Sequence, residues 1–393
     1  MWLNYLSLHI EKYVHQAHEV YNFVQESNNS AISHYSQVVD LIEEIESPYE
    51  WNTLVLNSHY TSPTHFFSEA DYHLRIITQG EVYLAPFKVV KFYNNKVLLS
   101  YGTRVDGGLV PLRSFSHLDE CINELVCFLH DKSFDIFNLT FKRYYMKEYV
   151  DNVVELISSR SKHKVTIYAR ILPLMREFSY IWTNKFNKKA RNLVKKFKKS
   201  NGIVKVLSRP LDYINEIMEV NLSAPIRQGR PMPPSYTNRE IVIKSLEASL
   251  KEKKGHLKVY GAFIHDKLVA YSYVVEHNGY AYISRFLTHT KYFKYAVSNG
   301  LISAIIEDLC NRNIEVVQYG YWSRHHKGVN HFLKQHGFER GKVEAYYIPL
   351  SRKGRLALRI LRLISGVKET SLGELLRRVS LVRRFYYKAV PRV

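Results

Sequence analysis

The sequence predicts a mixed α/β chain, α+β in its sheets, built as two similar units in tandem and closed by a basic helical tail. Three observations predict it. Short runs rich in Val, Ile, Tyr and Phe alternate with stretches whose apolar residues recur at helical spacing. That alternation occurs twice over 393 residues, a length that suits two domains. The charge is concentrated: of a net +20, Lys185–Lys199 holds +8 and residues 351–393 hold +10, which leaves the rest near neutral.

The elements follow in order. Residues 1–47 alternate apolar and polar at helical spacing, Leu41, Ile42 and Ile45 closing the stretch before Ser47-Pro48 ends it. Arg75–Ile77, Glu81–Tyr93 and Lys96–Tyr101 read as strands, with a hairpin turn at Asn94-Asn95. Leu118–Asp131 is a helix, Asp135–Phe141 a strand and Val150–Ser158 a helix. The second unit repeats the style. Strand Val165–Ile171 enters a helix at Lys188–Lys199, whose Ala190, Leu193, Val194 and Phe197 form one apolar stripe under a basic face. Strand Gly202–Leu207 and helix Asp212–Asn221 precede an irregular, mobile Pro/Arg loop, Ala224–Pro234, then helix Arg239–Lys251. Strands Leu257–His265, Leu268–Glu276 and Gly279–Leu287 lead to helix Asn299–Leu309. Strand Glu315–Tyr319, helix Lys327–His336 and strand Val343–Leu350 close the unit. The expected boundaries are 1–165, 166–350 and 351–393.

Composition excludes several classes. With 46% hydrophobic residues the chain has ample side chain to bury, so it is not a disordered or linker-dominated protein. No apolar run reaches the length of a membrane span, and Met1–Leu6 lacks the features of a secretion signal. Cys121, Cys127 and Cys310 show no metal spacing and no disulfide framework, which suits reduced thiols in the cytoplasm. The two basic segments collect an anionic partner: nucleic acid, an anionic lipid surface or a polyphosphate cofactor. Charge alone leaves the three open.

The order strand–helix–helix–three antiparallel strands–helix–strand–helix–strand resembles the GNAT acyltransferase core. Over about residues 48–350 the chain is similar to the Fem-type (FemAB-like) proteins, two GNAT-like units in tandem related to peptidyl and aminoacyl transferases. Four stretches carry the resemblance: Glu50–Ser58; Ser100-Tyr101-Gly102 with Asp106-Gly107-Gly108; Lys188–Lys199 with Asn201-Gly202-Ile203; and Gly328–Phe338. Two departures stand out. The family's adjacent Phe-Lys pair is here Phe332-Leu333-Lys334, which moves the lysine about 100° around a helix. The glycine-rich pyrophosphate loop is absent between Leu287 and Ser298, which counts against tight coenzyme A binding.

The resemblance implies an N-acyltransferase whose active second unit faces its cleft to the first. Its donor would be acyl-CoA (acetyl-CoA) or aminoacyl-tRNA, and its acceptor an amine on a sugar, lipid precursor or peptide. Acyl transfer needs fixed donors for the developing oxyanion and a route for protons. Backbone amides of the central strands Ala281–Leu287 and Glu315–Tyr319 would serve the first need, and Phe286 and Leu287 are expected to contact the donor. Lys291, Lys294, Ser298 as N-cap, Asn299 and Gly300 would hold donor phosphates at a helix start. Tyr321, at a strand end, could protonate a leaving group; Lys327 and Lys334 complete the candidate catalytic set. Arg324-His325-His326-Lys327 reads as an anion clamp, and its two histidines lack a third ligand, so no metal is expected. Asp106, Gly107, Gly108, Arg227, Arg230 and Arg324 are the expected substrate contacts.

The tail 351–393 reads as basic amphipathic helices that lie on an anionic membrane, pack on the body or bind RNA. RNA is also the expected partner of the basic helix within 185–199. The expected location is the cytoplasm, with peripheral contact to the inner membrane surface. The rival to an enzyme is a non-catalytic protein that binds nucleic acid or a membrane surface on the same scaffold.

Overall fold

The computed structural model describes residues 39–58, 70, 72–87, 89–92, 97–100, 109–174, 177–227, 230–324 and 326–367. The expected N-terminal helix up to residue 38, the turn at Asn94-Asn95 and the loop with Asp106, Gly107 and Gly108 lie outside them.

Val39–Glu44 is a strand, β1, where a helix end was expected. It pairs antiparallel with β2 (Tyr72–Thr78) from Val39↔Thr78 to Glu44↔Leu74. Leu41, Ile42 and Ile45 fit either periodicity, and the pairing decides between them. Ser47-Pro48 begins a helix rather than ending one. The Ser47 hydroxyl accepts from the Glu50 N–H and Pro48 takes the first helical position of α1 (Pro48–Asn57), where its missing N–H costs nothing.

β3 (Glu81–Phe87) and β6 (Val110–Pro111) complete a four-stranded sheet in the order β1-β2-β3-β6. Helices α2 (Leu118–Asp131) and α3 (Lys147–Arg160) pack Ile122, Leu125, Val153 and Ile157 against β2, β3 and β7 (Ile136–Lys142). The expected strand Glu81–Tyr93 is two, β3 and β4 (Val89–Phe92), and β4 pairs with β5 (Val97–Ser100).

The remaining strands are β8 (His163–Pro173), β9 (Ile203–Val206), β12 (Leu257–Ile264), β13 (Lys267–His277), β14 (Tyr280–Thr288), β15 (Val316–Tyr321) and β16 (Glu339–Pro349). A two-residue ribbon, β10 (Ile226–Arg227) with β11 (Arg230–Pro231), stands apart. Among the described residues the large sheet has ten strands, in the order β4-β5-β7-β16-β8-β15-β14-β13-β12-β9. β16 lies between β7 and β8: Val343 pairs with Lys142 on one side and Ile167 on the other. The sheet therefore runs from the first unit into the second without a break, and residue 165 falls inside β8.

One face of the second unit is covered by α4 (Lys188–Lys199), α7 (Val297–Asn311) and α8 (Lys327–Gln335). Phe197, Leu301, Ile305 and Leu333 fill that core. α5 (Ile214–Leu222) and α6 (Arg239–Glu252) cover the other face through Ile217, Val242 and Leu246. α9 (Arg352–Val367) follows β16. No helix of the described residues is long and apolar enough to cross a membrane.

Candidate functional site

β14 and β15 run parallel and pair at only three positions, Tyr280↔Val316, Ala281↔Val317 and Tyr282↔Gln318. Beyond these they part, and both strands carry an extra residue just there. Opposite β13, Val274 faces Ile283 and Tyr273 faces Arg285, which leaves Ser284 as a bulge in β14. Opposite β8, Gln318 faces Ile171 and Tyr321 faces Ala169, which puts one residue too many in β15. Gly320 sits in that second bulge at φ +55°, a backbone region that favours glycine. Bulges bend strands and end pairing. Here they open a fork whose backbone groups are not consumed by a β14–β15 ladder.

The two faces of the fork differ. On the face covered by α4, α7 and α8, Phe286 meets Tyr319 at 5.8 Å and Phe332 of α8 at 6.1 Å between ring centroids. On the other, the Arg285 guanidinium lies 4.5 Å over the Tyr236 ring and 5.3 Å over Tyr273. Tyr321 shares that second face. It stands opposite Ala169 and packs beside Ile171, Tyr280 and Tyr282.

Below α8 lies a cavity of about 610 Å³ lined by five cations, Arg170, Arg324, Lys327, Lys334 and Arg340, and one acid, Glu339. Lys327 and Lys334 are seven residues apart on α8, two helical turns, so they share a stripe. Arg340 stacks 3.7 Å over the Trp322 ring. Arg170 is the buried member, 5% exposed. Its Nε donates to Asn330 Oδ1 at 2.7 Å and Nη1 to the Tyr319 carbonyl at 3.4 Å; Nη2 lies 3.4 Å from His326 Nδ1. These partners are neutral oxygens and an imidazole, and no carboxylate pairs with Arg170 among the described residues. Burial lowers its pKa from the ordinary value.

The structure thus brings Arg324, Lys327 and Lys334 together and adds Arg170, Arg340 and Trp322, which sequence reasoning missed. A signal was present: Arg170 stands between Ala169 and Ile171 in an apolar strand, where an unpaired charge is costly. Tyr321 does not join them. Adjacent strand residues point to opposite faces, so Tyr321, level with Ala169, lies across the sheet from Arg170.

The expected phosphate site at the start of α7 is built differently. Its N-cap is Ala296, in the left-handed region at φ 56° with no side-chain cap, and not Ser298. The Ser298 hydroxyl lies 2.9 Å from the Thr288 hydroxyl at the end of β14. Asn299 is buried, and its Oδ1 has no hydrogen-bond partner among the described residues. Gly300 serves packing: a Cβ there would collide with the Phe197 ring of α4. With side chains at 296 and 298 and Gly300 filled from α4, these residues do not form a glycine cradle for a pyrophosphate. Lys291 and Lys294 are exposed on a 3-10 turn, Thr290–Tyr295. The Leu287 side chain is buried toward α5 and α6.

Arg227 is a fastener. Its guanidinium donates to the carbonyls of Thr288, at 3.3 Å, and Val220, at 2.9 Å, and to the Ser223 hydroxyl at 3.0 Å. It ties the expected mobile loop to the end of β14, and the β10–β11 ribbon replaces irregular chain there. Arg230 stands opposite Arg227 in that ribbon. Among the described residues no cluster of His, Cys, Asp and Glu is able to hold a metal ion.

Residues 184–328 match the family model of the acetyltransferase (GNAT) domain. Those residues lie within the second unit, which is similar to a GNAT domain over that stretch. No curated protein matches the sequence. Three solved structures are similar to the chain at 10% identity. FemX aligns with a TM-score of 0.55 over 77% of this chain and 96% of its own. A conserved protein of unknown function from Bacteroides thetaiotaomicron aligns at 0.53 over 78% and 99%. The C-terminal DUF2156 domain of an Agrobacterium fabrum protein assigned as a lysylphosphatidylglycerol synthetase aligns at 0.51 over 81% and 98%. The chain has a fold similar to that of FemX, and the fork is the opening between the central strands of its second unit.

Proposed function

We propose that this protein transfers an acyl or aminoacyl group from a phosphate-bearing donor, acyl-CoA or aminoacyl-tRNA, to an amine on a sugar, lipid precursor or peptide. The observation that carries this reading is the fork, with a five-cation cavity on one face and a tyrosine-lined surface on the other. Donor phosphates sit against Arg324, Lys327, Lys334 and Arg340, with Arg170 beneath them. The acyl carbon lies in the fork, where unpaired backbone N–H groups stabilise the oxyanion. The amine approaches from the tyrosine face, on the side of the first unit.

In the transfer, the bond from the acyl carbon to the donor's sulfur or oxygen breaks and a bond to nitrogen forms. The amine must arrive neutral and lose a proton, and the leaving group gains one. Tyr321, on the acceptor face, is the side chain we assign to proton return. The cytoplasm, where such donors are made, is the compartment that goes with this reading. One observation favours the non-catalytic rival: the start of α7 lacks a glycine cradle.

A melting-temperature screen against acyl-CoAs and aminoacylated tRNA separates the two. A saturable rise names the donor, since a ligand of the native state stabilises it. Lys327→Ala with Lys334→Ala should then cut kcat/KM about 100-fold, as loss of two phosphate contacts does. No rise with any donor and no labelled amine product reject acyl transfer.

A further inference from the structure

We infer that α9 docks on an anionic lipid bilayer, with Leu356 entering the interface between exposed cations. This does not depend on the acyl-transfer reading.

The helix begins at a fixed place. The Leu350 N–H donates to the Asp135 carbonyl at 2.9 Å, the Ser351 hydroxyl donates to the Asp135 carboxylate, and the Gly354 N–H donates to the Ser351 hydroxyl at 3.0 Å. Gly354 lies so close to the Asp135 carbonyl that a Cβ would collide with it. Leu358, one turn on, is buried at 3% exposed. Gly354 and Leu358 are therefore the face that meets the body, and they fix the helix about its own axis.

The outward face carries two kinds of residue. Arg352, Lys353, Arg355 and Arg359 are exposed. Among them Leu356 is exposed at 55%. In the sequence, the positions at helical spacing from Leu356, i+4, i+7 and i+11, are Ile360, Leu363 and Val367. The stretch 352–367 holds five cations and no acid, and residues 368–393 add seven cations against two acids. One apolar stripe is enough to pack a helix on its own protein. A second, offset from the first and bordered by arginines, is the pattern of a helix lying in an anionic interface, its aliphatic side chains among acyl chains and its cations among headgroups. An RNA-binding helix needs the cations and has no use for the Leu356 stripe.

The test is flotation of the full chain with vesicles of phosphatidylcholine alone, or of phosphatidylcholine with phosphatidylglycerol at about three to one. Binding is expected only with phosphatidylglycerol. Leu356→Glu should weaken it at least about tenfold, and Leu356→Phe should keep it. Arg355→Glu with Arg359→Glu should weaken it by about fivefold or more per cation, with the loss shrinking in added salt. Anisotropy with a single-stranded RNA should not change on Leu356→Glu. The inference falls if the wild-type chain ignores phosphatidylglycerol, if Leu356→Glu floats like wild type, or if that variant loses RNA binding instead. It also falls if Leu356→Glu lowers the melting temperature, because protein would then cover the leucine.

Discussion

Arg170 and Glu344 are both buried charges on neighbouring strands of one sheet, and the protein treats them in opposite ways. Glu344, fully buried on β16, is surrounded by cations: Lys164 Nζ at 2.7 Å, Lys342 Nζ at 2.6 Å and Arg143 Nε at 3.2 Å, with the Tyr346 hydroxyl donating at 2.8 Å. Burial alone would raise its pKa. The hydrogen bonds from Lys164, Lys342 and Tyr346 outweigh that and bring it to about 2. Arg170, on β8, has no carboxylate partner among the described residues; it meets Asn330, the Tyr319 carbonyl and His326. The first charge is satisfied from within and holds β8 to β16. The second is left for something that arrives. A buried ion without a counter-ion is a standing cost to the fold. Such a residue makes sense where a ligand brings the missing charge.

This contrast can be broken. Arg170→Met should show the largest effect: kcat/KM, or donor affinity, falls about 100- to 1000-fold, while the melting temperature without ligand stays level or rises. A fall in melting temperature as large as that of a broken buried ion pair would make Arg170 structural and erase the distinction. Glu344→Gln should do the reverse, costing about 3 kcal/mol of stability at neutral pH with ligand affinity retained. Its folded pKa is depressed. The stability it adds is therefore present above the ordinary glutamate value of 4.5 and is lost as pH falls through about 2. Acid titration of wild type and Glu344→Gln should converge across that window. The smallest change is Lys164→Met. Lys164 is 46% exposed and is one of three cations around the carboxylate, so removal should cost about 0.5–1 kcal/mol by chemical denaturation. A much larger cost would mean that the three cations do not share the load.

Local pattern made much of the fold legible. The stripe Ala190, Leu193, Val194 and Phe197 defines α4 at the bounds observed, and Lys327 with Lys334 marks a shared face of α8. What escaped depends on pairing between distant residues. Arg170 is buried because β8 meets β16 in a register that places it opposite Arg340. No window around residue 170 contains that fact. β1 reads as a helix end in the sequence because Leu41, Ile42 and Ile45 suit both periods until β2 lies beside them. Ser298 looked like a cap, but Ala296 takes the left-handed turn two residues earlier, and alanine gives no warning of it. The fork itself comes from two bulges, and a single-residue insertion in a strand leaves no mark in composition.

The position of β16 bears on how the chain is made. This strand leaves the ribosome long after β7 and β8, yet it fills the slot between them. Until residue 349 emerges, both of those strands keep a bare edge, ready to pair with whatever extended chain is near. A product ending before residue 339 would carry two open seams and should aggregate, although both strands of the fork had already been synthesised.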